Sequence, residues 1–194
     1  MKPRLLAALA AVSALSGCMA PTGPITVNRF HAPDVSRLGK GVIAVEPAPG
    51  MDGKSLELQS FEAAVTQQLQ RVGYSTGDSG DQVALVRLSR SRYQPEKARN
   101  PVSVGIDGST GSFGSGLGVG IGLDLSGRPP EQVETELAVT IRDRKTGANL
   151  WEGRASFTVS ARSPMADTQL GAPKMAEALF RDFPGNSGET IEVR

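Results

Sequence analysis

Val133-Glu134-Thr135-Glu136-Leu137-Ala138-Val139-Thr140-Ile141-Arg142 is the stretch that decides the fold. Odd positions carry Val, Thr, Leu, Val and Ile, and even positions carry Glu, Glu, Ala, Thr and Arg. Successive side chains of an extended chain point to opposite faces, so this run predicts a strand buried on one side. Asp143-Arg144-Lys145-Thr146-Gly147 supplies a turn. Beyond it, Trp151, Ala155, Phe157 and Val159 alternate with Glu152, Arg154, Ser156 and Thr158. Two alternating runs around a turn predict a β-hairpin.

Upstream, Val83 to Tyr93 reads as a strand that turns basic through Arg87, Arg90 and Arg92. Ile25 to Phe30 alternates and suits a first strand. Val42 to Glu46 is a short apolar run, ended by Pro47, Pro49 and Gly50. From about Ser55 to Val72, the residues Leu58, Phe61, Val65, Leu69 and Val72 recur at intervals of three and four, which is one apolar stripe of a helix. Gln67, Gln68 and Arg71 fall off that stripe, and Gly73 suits the C-terminal cap. A second helix is expected from about Ala172 to Asp182, with Pro173 in its first turn and Pro184-Gly185 as its stop. Ile191 to Val193 reads as an edge strand or a frayed tail. The order predicts an α+β domain: a largely antiparallel sheet with two helices packed on one face, and a Gly-rich hairpin or loop insertion.

The chain has 194 residues, with 21 Lys+Arg against 20 Asp+Glu and a formal charge of +1. That length suits one domain, and that balance excludes nucleic-acid binding driven by bulk charge. A single cysteine excludes an internal disulfide and a cysteine-based metal site, and a single histidine excludes a multi-histidine one. No metal and no cofactor is expected.

Met1-Lys2-Pro3-Arg4 precedes an apolar run from Leu5 to Leu15, the layout of a secretory signal. The run is too short to span a bilayer, which takes roughly 20 residues. Leu15-Ser16-Gly17-Cys18 resembles the lipobox of bacterial lipoproteins, in which the lipid-modified cysteine becomes the first mature residue. The resemblance implies a signal peptide over 1–17, acylation of Cys18 with palmitate-class chains, and a non-helical tether over 18–24. The domain then runs over 25–194. Loss of Lys2 and Arg4 takes the formal charge from +1 to −1. Met19 after the cysteine implies, by the same resemblance, transport to the outer membrane with the domain facing the periplasm.

Nine of the 23 glycines lie between Gly105 and Gly127. Gly114, Gly116, Gly118, Gly120 and Gly122 alternate with Ser115, Leu117, Val119, Ile121 and Leu123, and Val102, Val104 and Ile106 alternate upstream. Three readings of this insertion, about residues 101–127, stand side by side. It is a mobile loop, since glycine loses entropy in a strand. It is a hairpin turning around Asp107–Gly111, whose glycine face approaches another backbone. Or it is a contact surface for membrane or partner.

Ala48-Pro49-Gly50-Met51-Asp52-Gly53-Lys54-Ser55 fits a relaxed phosphate-loop pattern between a strand and a helix. Pro49 removes an amide from the supposed cradle, and an exported chain meets no ATP supply. The segment therefore reads as a turn in which Asp52 or Ser55 caps the helix, and no nucleotide is expected. His31 has no partner fixed by spacing and reads as a surface residue. Arg87, Arg90, Arg92, Lys97 and Arg99 form one basic cluster, either a solvated strand end or a contact for anionic lipid or glycan. Trp151 reads as core, and Glu134 and Glu136 as solvated. No catalytic residue emerges.

With these elements in place, the chain resembles the bacterial lipoprotein family called domain of unknown function 4136. Cys18, the strand ending near Phe30 and the helix through Phe61 and Leu69 closing at Gly73-Tyr74 carry the resemblance. So do the glycine-rich stretch, Asp143–Gly147 with Leu150-Trp151-Glu152-Gly153, and Ala178-Leu179-Phe180-Arg181-Asp182-Phe183-Pro184. The Gly41–Val45 run departs from the family's aromatic-rich segment. The resemblance implies an envelope domain without assigned activity and transfers no catalytic residue. The expected role is that of a non-enzymatic outer-membrane lipoprotein that binds an envelope protein or aids envelope assembly. The alternative is a module for an anionic envelope lipid or glycan.

Overall fold

The computed structural model describes residues 23–96, 102–111, 114–123 and 129–194. Strands β1 (Ile25–His31) and β2 (Val42–Pro47) precede one long helix, α1 (Leu56–Arg71), and β3 (Ser75–Thr76) and β4 (Gln82–Tyr93) follow it. After the glycine-rich strands β5 (Val102–Gly111) and β6 (Gly114–Leu123) come β7 (Gln132–Asp143) and β8 (Asn149–Ser160). A 3-10 turn (Pro164–Ala166), helix α2 (Thr168–Phe180) and β9 (Thr190–Val193) close the chain.

Seven strands form one sheet in the order β3-β2-β4-β7-β8-β1-β9. β7 and β8 pair along their whole length with Leu137 opposite Ala155 and Ile141 opposite Trp151, the hairpin expected from the alternation. The expectation of a largely antiparallel α+β sheet is corrected: the sheet is mixed and the molecule is mostly sheet, with two α-helices among the described residues. β2 pairs in parallel with both β3 and β4, while β4·β7, β7·β8, β8·β1 and β1·β9 are antiparallel. The cause is the helix between β2 and β4. A strand followed by a crossover helix returns to the same end of the sheet, so the next strand runs in the same direction.

α1 begins at Ser55, whose Oγ accepts from the Leu58 amide at 3.3 Å, and ends in a Schellman motif. There the Tyr74 amide donates to Leu69 O and the Gly73 amide to Gln70 O, with Gly73 at φ +108°. The buried stripe of α1 is Leu58, Phe61, Ala64, Val65, Gln68 and Leu69, so Gln68 belongs to it rather than beside it. α2 starts four residues before the expected Ala172, because Asp167 caps it by accepting from the Gln169 amide at 2.9 Å. Pro173 consequently lies inside the helix instead of in its first turn. β9 is an ordered edge strand paired with β1.

One core lies between the two helices and one face of the sheet. Leu58, Phe61, Val65, Leu137, Val139, Ile141, Trp151 and Phe157 are all buried in it, with Met175 and Leu179 from α2. The opposite face shows exposed Thr26, Phe30, Glu134, Glu152, Arg154 and Thr158. In the insertion, β5 and β6 pair antiparallel from Val102 opposite Leu123 to Gly111 opposite Gly114. The ribbon is therefore longer than a turn at Asp107–Gly111 would permit, and it forms a second, two-stranded sheet.

Candidate functional site

Cys18 lies outside the described residues, as do Lys97 and Arg99 of the basic cluster. The other three arginines sit on β4, whose alternation separates them. Arg90 and Arg92 share the face of buried Ala84 and Val86, and Arg87 takes the other. Arg87 Nη2 donates to Pro49 O at 3.1 Å, tying β4 to the β2–α1 connection. Arg90 is largely enclosed. It ion-pairs with Glu57, donates to Ala166 O and reaches Thr168 Oγ1 at 2.9 Å. Thr168 Oγ1 in turn donates to Glu57 Oε1 at 3.1 Å. Arg90 thus clasps the first turn of α1 to the start of α2, while Arg92 is exposed beyond it. The described arginines do not converge on one ligand.

The phosphate-loop-like segment is a self-satisfied turn. The Met51 amide donates to Ala48 O at 3.0 Å, the Ser55 amide to Asp52 O at 3.0 Å and the Lys54 amide to Asp52 Oδ1 at 3.0 Å. Of the two expected caps, Ser55 is the one that caps the helix, while Asp52 closes the turn ahead of it by accepting from the Lys54 amide. At His31, Nδ1 lies 2.8 Å from Ala32 O, and the backbone amide donates to Ser187 Oγ at 3.1 Å. Trp151 is buried, stacks on Phe180 at 5.4 Å and donates from Nε1 to Pro184 O at 3.0 Å.

Two buried charged groups went unseen in the sequence. Arg29 follows Ile25 and Val27 on the inward face of β1 and is 2 % exposed. It donates to Arg181 O, and burial lowers its pKa against the opposing pull of Glu189 and Asp182. Asp143 accepts from the Thr146 amide at 2.7 Å, the Lys145 amide at 2.9 Å and the Thr146 hydroxyl at 3.0 Å, and it meets Arg37 Nη2 at 2.5 Å. Those hydrogen bonds, the Thr146 amide first and Arg37 next, lower its pKa to about 2. On α1, burial raises the pKa of Glu62, whose Oε1 is enclosed with no hydrogen-bond partner among the described residues.

Among the described residues, an apolar hollow lies elsewhere, between α2 and the β1–β9 edge. It measures about 230 Å³. Ile25, Phe157, Ala178 and Val193 form its buried apolar floor, with Met165 half-buried beside them. Lys174, Glu177, Arg181 and Arg194 stand exposed at its rim. Lys174 Nζ and Glu177 Oε2 pair at 3.1 Å, and among the described residues Arg181 and Arg194 enter no ion pair. Gly23, the first described residue, also lines it. Sequence reasoning had no means to find this hollow, because its residues come from five separated elements, β1, β8, the 3-10 turn, α2 and β9. No described helix is long and apolar enough to cross a membrane.

Several known proteins are similar to this chain. An uncharacterized protein from Zymomonas mobilis is 25% identical over 217 residues, covering 89% of this chain and 81% of the relative. Among solved structures, a PDZ domain protein from Parabacteroides distasonis matches with a TM-score of 0.50 and 13% identity. That match covers 99% of this chain and 43% of the other, so the chain spans less than half of it. At this identity the likeness is one of fold. A PelC dodecamer from Paraburkholderia phytofirmans matches with a TM-score of 0.42 and 16% identity, covering 79% and 92% of the two chains. The family described as "Domain of unknown function (DUF4136)" matches over residues 43–185, from within β2 to the loop beyond α2. Most of the folded sheet and both helices fall inside that span, and the chain belongs to this family.

Proposed function

We propose that this protein is a lipid-anchored domain of the bacterial outer membrane, facing the periplasm, which binds an envelope protein or aids envelope assembly without catalysing a reaction. The observation that carries the reading is the position of the one cysteine. Cys18 ends a secretory-type apolar run, behind the small residues Ser16 and Gly17, and only four residues separate it from Gly23 beside the folded sheet. One acyl chain alone anchors marginally, so stable attachment takes the several chains of a bacterial lipoprotein. The partner-binding part is supported by the sheet itself. Its helices cover one face, and Phe30, at 53 % exposure, stands with Thr26, Glu152 and Arg154 on the other.

Fractionation of cells expressing Cys18→Ser tests the anchor. The variant is expected as an unprocessed precursor or as a soluble product. Membrane-bound mature protein of unchanged size in that variant would overturn the reading. A photo-crosslinking residue in place of Phe30 tests the second part in the same cells: a discrete protein adduct is expected, and its absence from Phe30 and Arg154 alike would remove the sheet face as the contact.

A further inference from the structure

We propose that the hollow between α2 and the β1–β9 edge holds a segment of one acyl chain of an anionic membrane lipid, with the headgroup against Arg181 and Arg194. The inference rests on the lipid-anchor reading for its placement and on the geometry for its chemistry. The floor of Ile25, Phe157, Ala178 and Val193 offers hydrocarbon and no buried charge. A volume of about 230 Å³ lies below that of drug-sized or nucleotide pockets, which run from about 300 Å³ upward, and takes one segment of a slender acyl chain, the rest of which lies outside the hollow. The rim is cationic in balance. Glu177 is met by Lys174, which leaves the Arg181 and Arg194 guanidinium groups for an outside anion. Arginine is the residue suited to such an anion, because its planar fork grips two phosphate oxygens at once.

The position of the tether supplies the occupant. Gly23 lines the hollow, and an extended chain from Cys18 to Gly23 reaches at most about 18 Å. An acylated Cys18 therefore holds this end of the domain at the level of the lipid headgroups. There the apolar floor and the two arginines meet the two halves of an anionic lipid together. The basic cluster on β4 offers no such combination, because its described members are divided between two faces and Arg90 is committed to Glu57.

The test uses the full chain in living cells supplied with a photoactivatable fatty acid, which the cells build into their phospholipids. After irradiation, lipid adducts are mapped on peptides of the isolated protein. Adducts are expected on the peptides that contain Phe157, Met165, Ala178 and Val193. Met165→Trp, which fills the mouth of the hollow, and Arg181→Glu, an exposed change that leaves the core untouched, are each expected to lower the adduct yield about tenfold. Adducts spread evenly over the exposed sheet face, or a yield unchanged by both variants, would overturn the proposal. The N-terminal peptide of the same digest reports acylation of Cys18 separately. An unmodified Cys18 with adducts in the hollow would defeat the anchor and keep the lipid site; an acylated Cys18 with no adducts there would do the reverse.

Discussion

Gly153 shows how one atom is excluded from this core. A Cβ at that position would lie 2.2 Å from the Trp151 ring and 2.8 Å from Leu179 Cδ1. Residues 151 and 153 share the inward face of β8, and the indole, held by its hydrogen bond to Pro184 O, lies across the glycine. Gly153→Ala is expected to destabilise the protein by about 1–3 kcal/mol through overpacking, measured as a lower urea midpoint at unchanged slope. The Trp-Glu-Gly sequence announced a buried tryptophan, and its alternation placed it correctly. What could not be read was Arg29. A cation at an inward position contradicts the alternation that identifies β1, and the carbonyl that receives it belongs to Arg181, far along the chain.

At the scale of elements, long periodic segments were legible and their ends were set by caps. α1 and the β7–β8 hairpin were readable almost to the residue, because Ser55, Gly73 and the Asp143–Gly147 turn each carry local chemistry that stops or starts an element. α2 was misjudged at its start, since proline is expected in a first turn and Asp167 was not recognised as the cap. Inside α2, Pro173 offers no amide to Gln169 O, four residues back. Its side chain is exposed, so the core gains nothing from it. Pro173→Ala is therefore expected to stabilise the protein by about 1–3 kcal/mol, read as a rise in Tm. A loss of stability would mean that the proline fixes the path of the preceding turn. β3 was missed because two residues, Ser75 and Thr76, are too few to show any period.

Across the whole molecule, the mixed sheet was the feature least legible, because periodicity identifies strands and says nothing of their direction. The clue was the bare order of strand, helix and strand from β2 to β4. Acid stability is a property at the same scale, since Asp143 joins the β7–β8 turn to Arg37 in the β1–β2 connection. Its pKa falls from an ordinary 3.8 to about 2 on folding. A lowered carboxylate pKa contributes stability that is complete above the unfolded value and is lost as pH falls through the folded one. The stability advantage of the wild type over Asp143→Asn should therefore shrink as the pH drops from 3.8 to about 2. Urea unfolding at several pH values measures it, and a difference that stays constant would remove Asp143 from the acid response. Burial of Glu62 acts with the opposite sign, so the comparison with the variant is what isolates Asp143. The pairing of β1 with β9, finally, sets Ile25 opposite Val193, so the first and last strands lie side by side at one edge of the sheet. From Ile25 to Val193 the ends of the described domain thus meet in space. A short linker from Val193 to Ile25, with new termini opened at a distant surface turn, would give a circular permutant that keeps the pairing of β1 with β9 while moving the ends of the folded domain away from that edge.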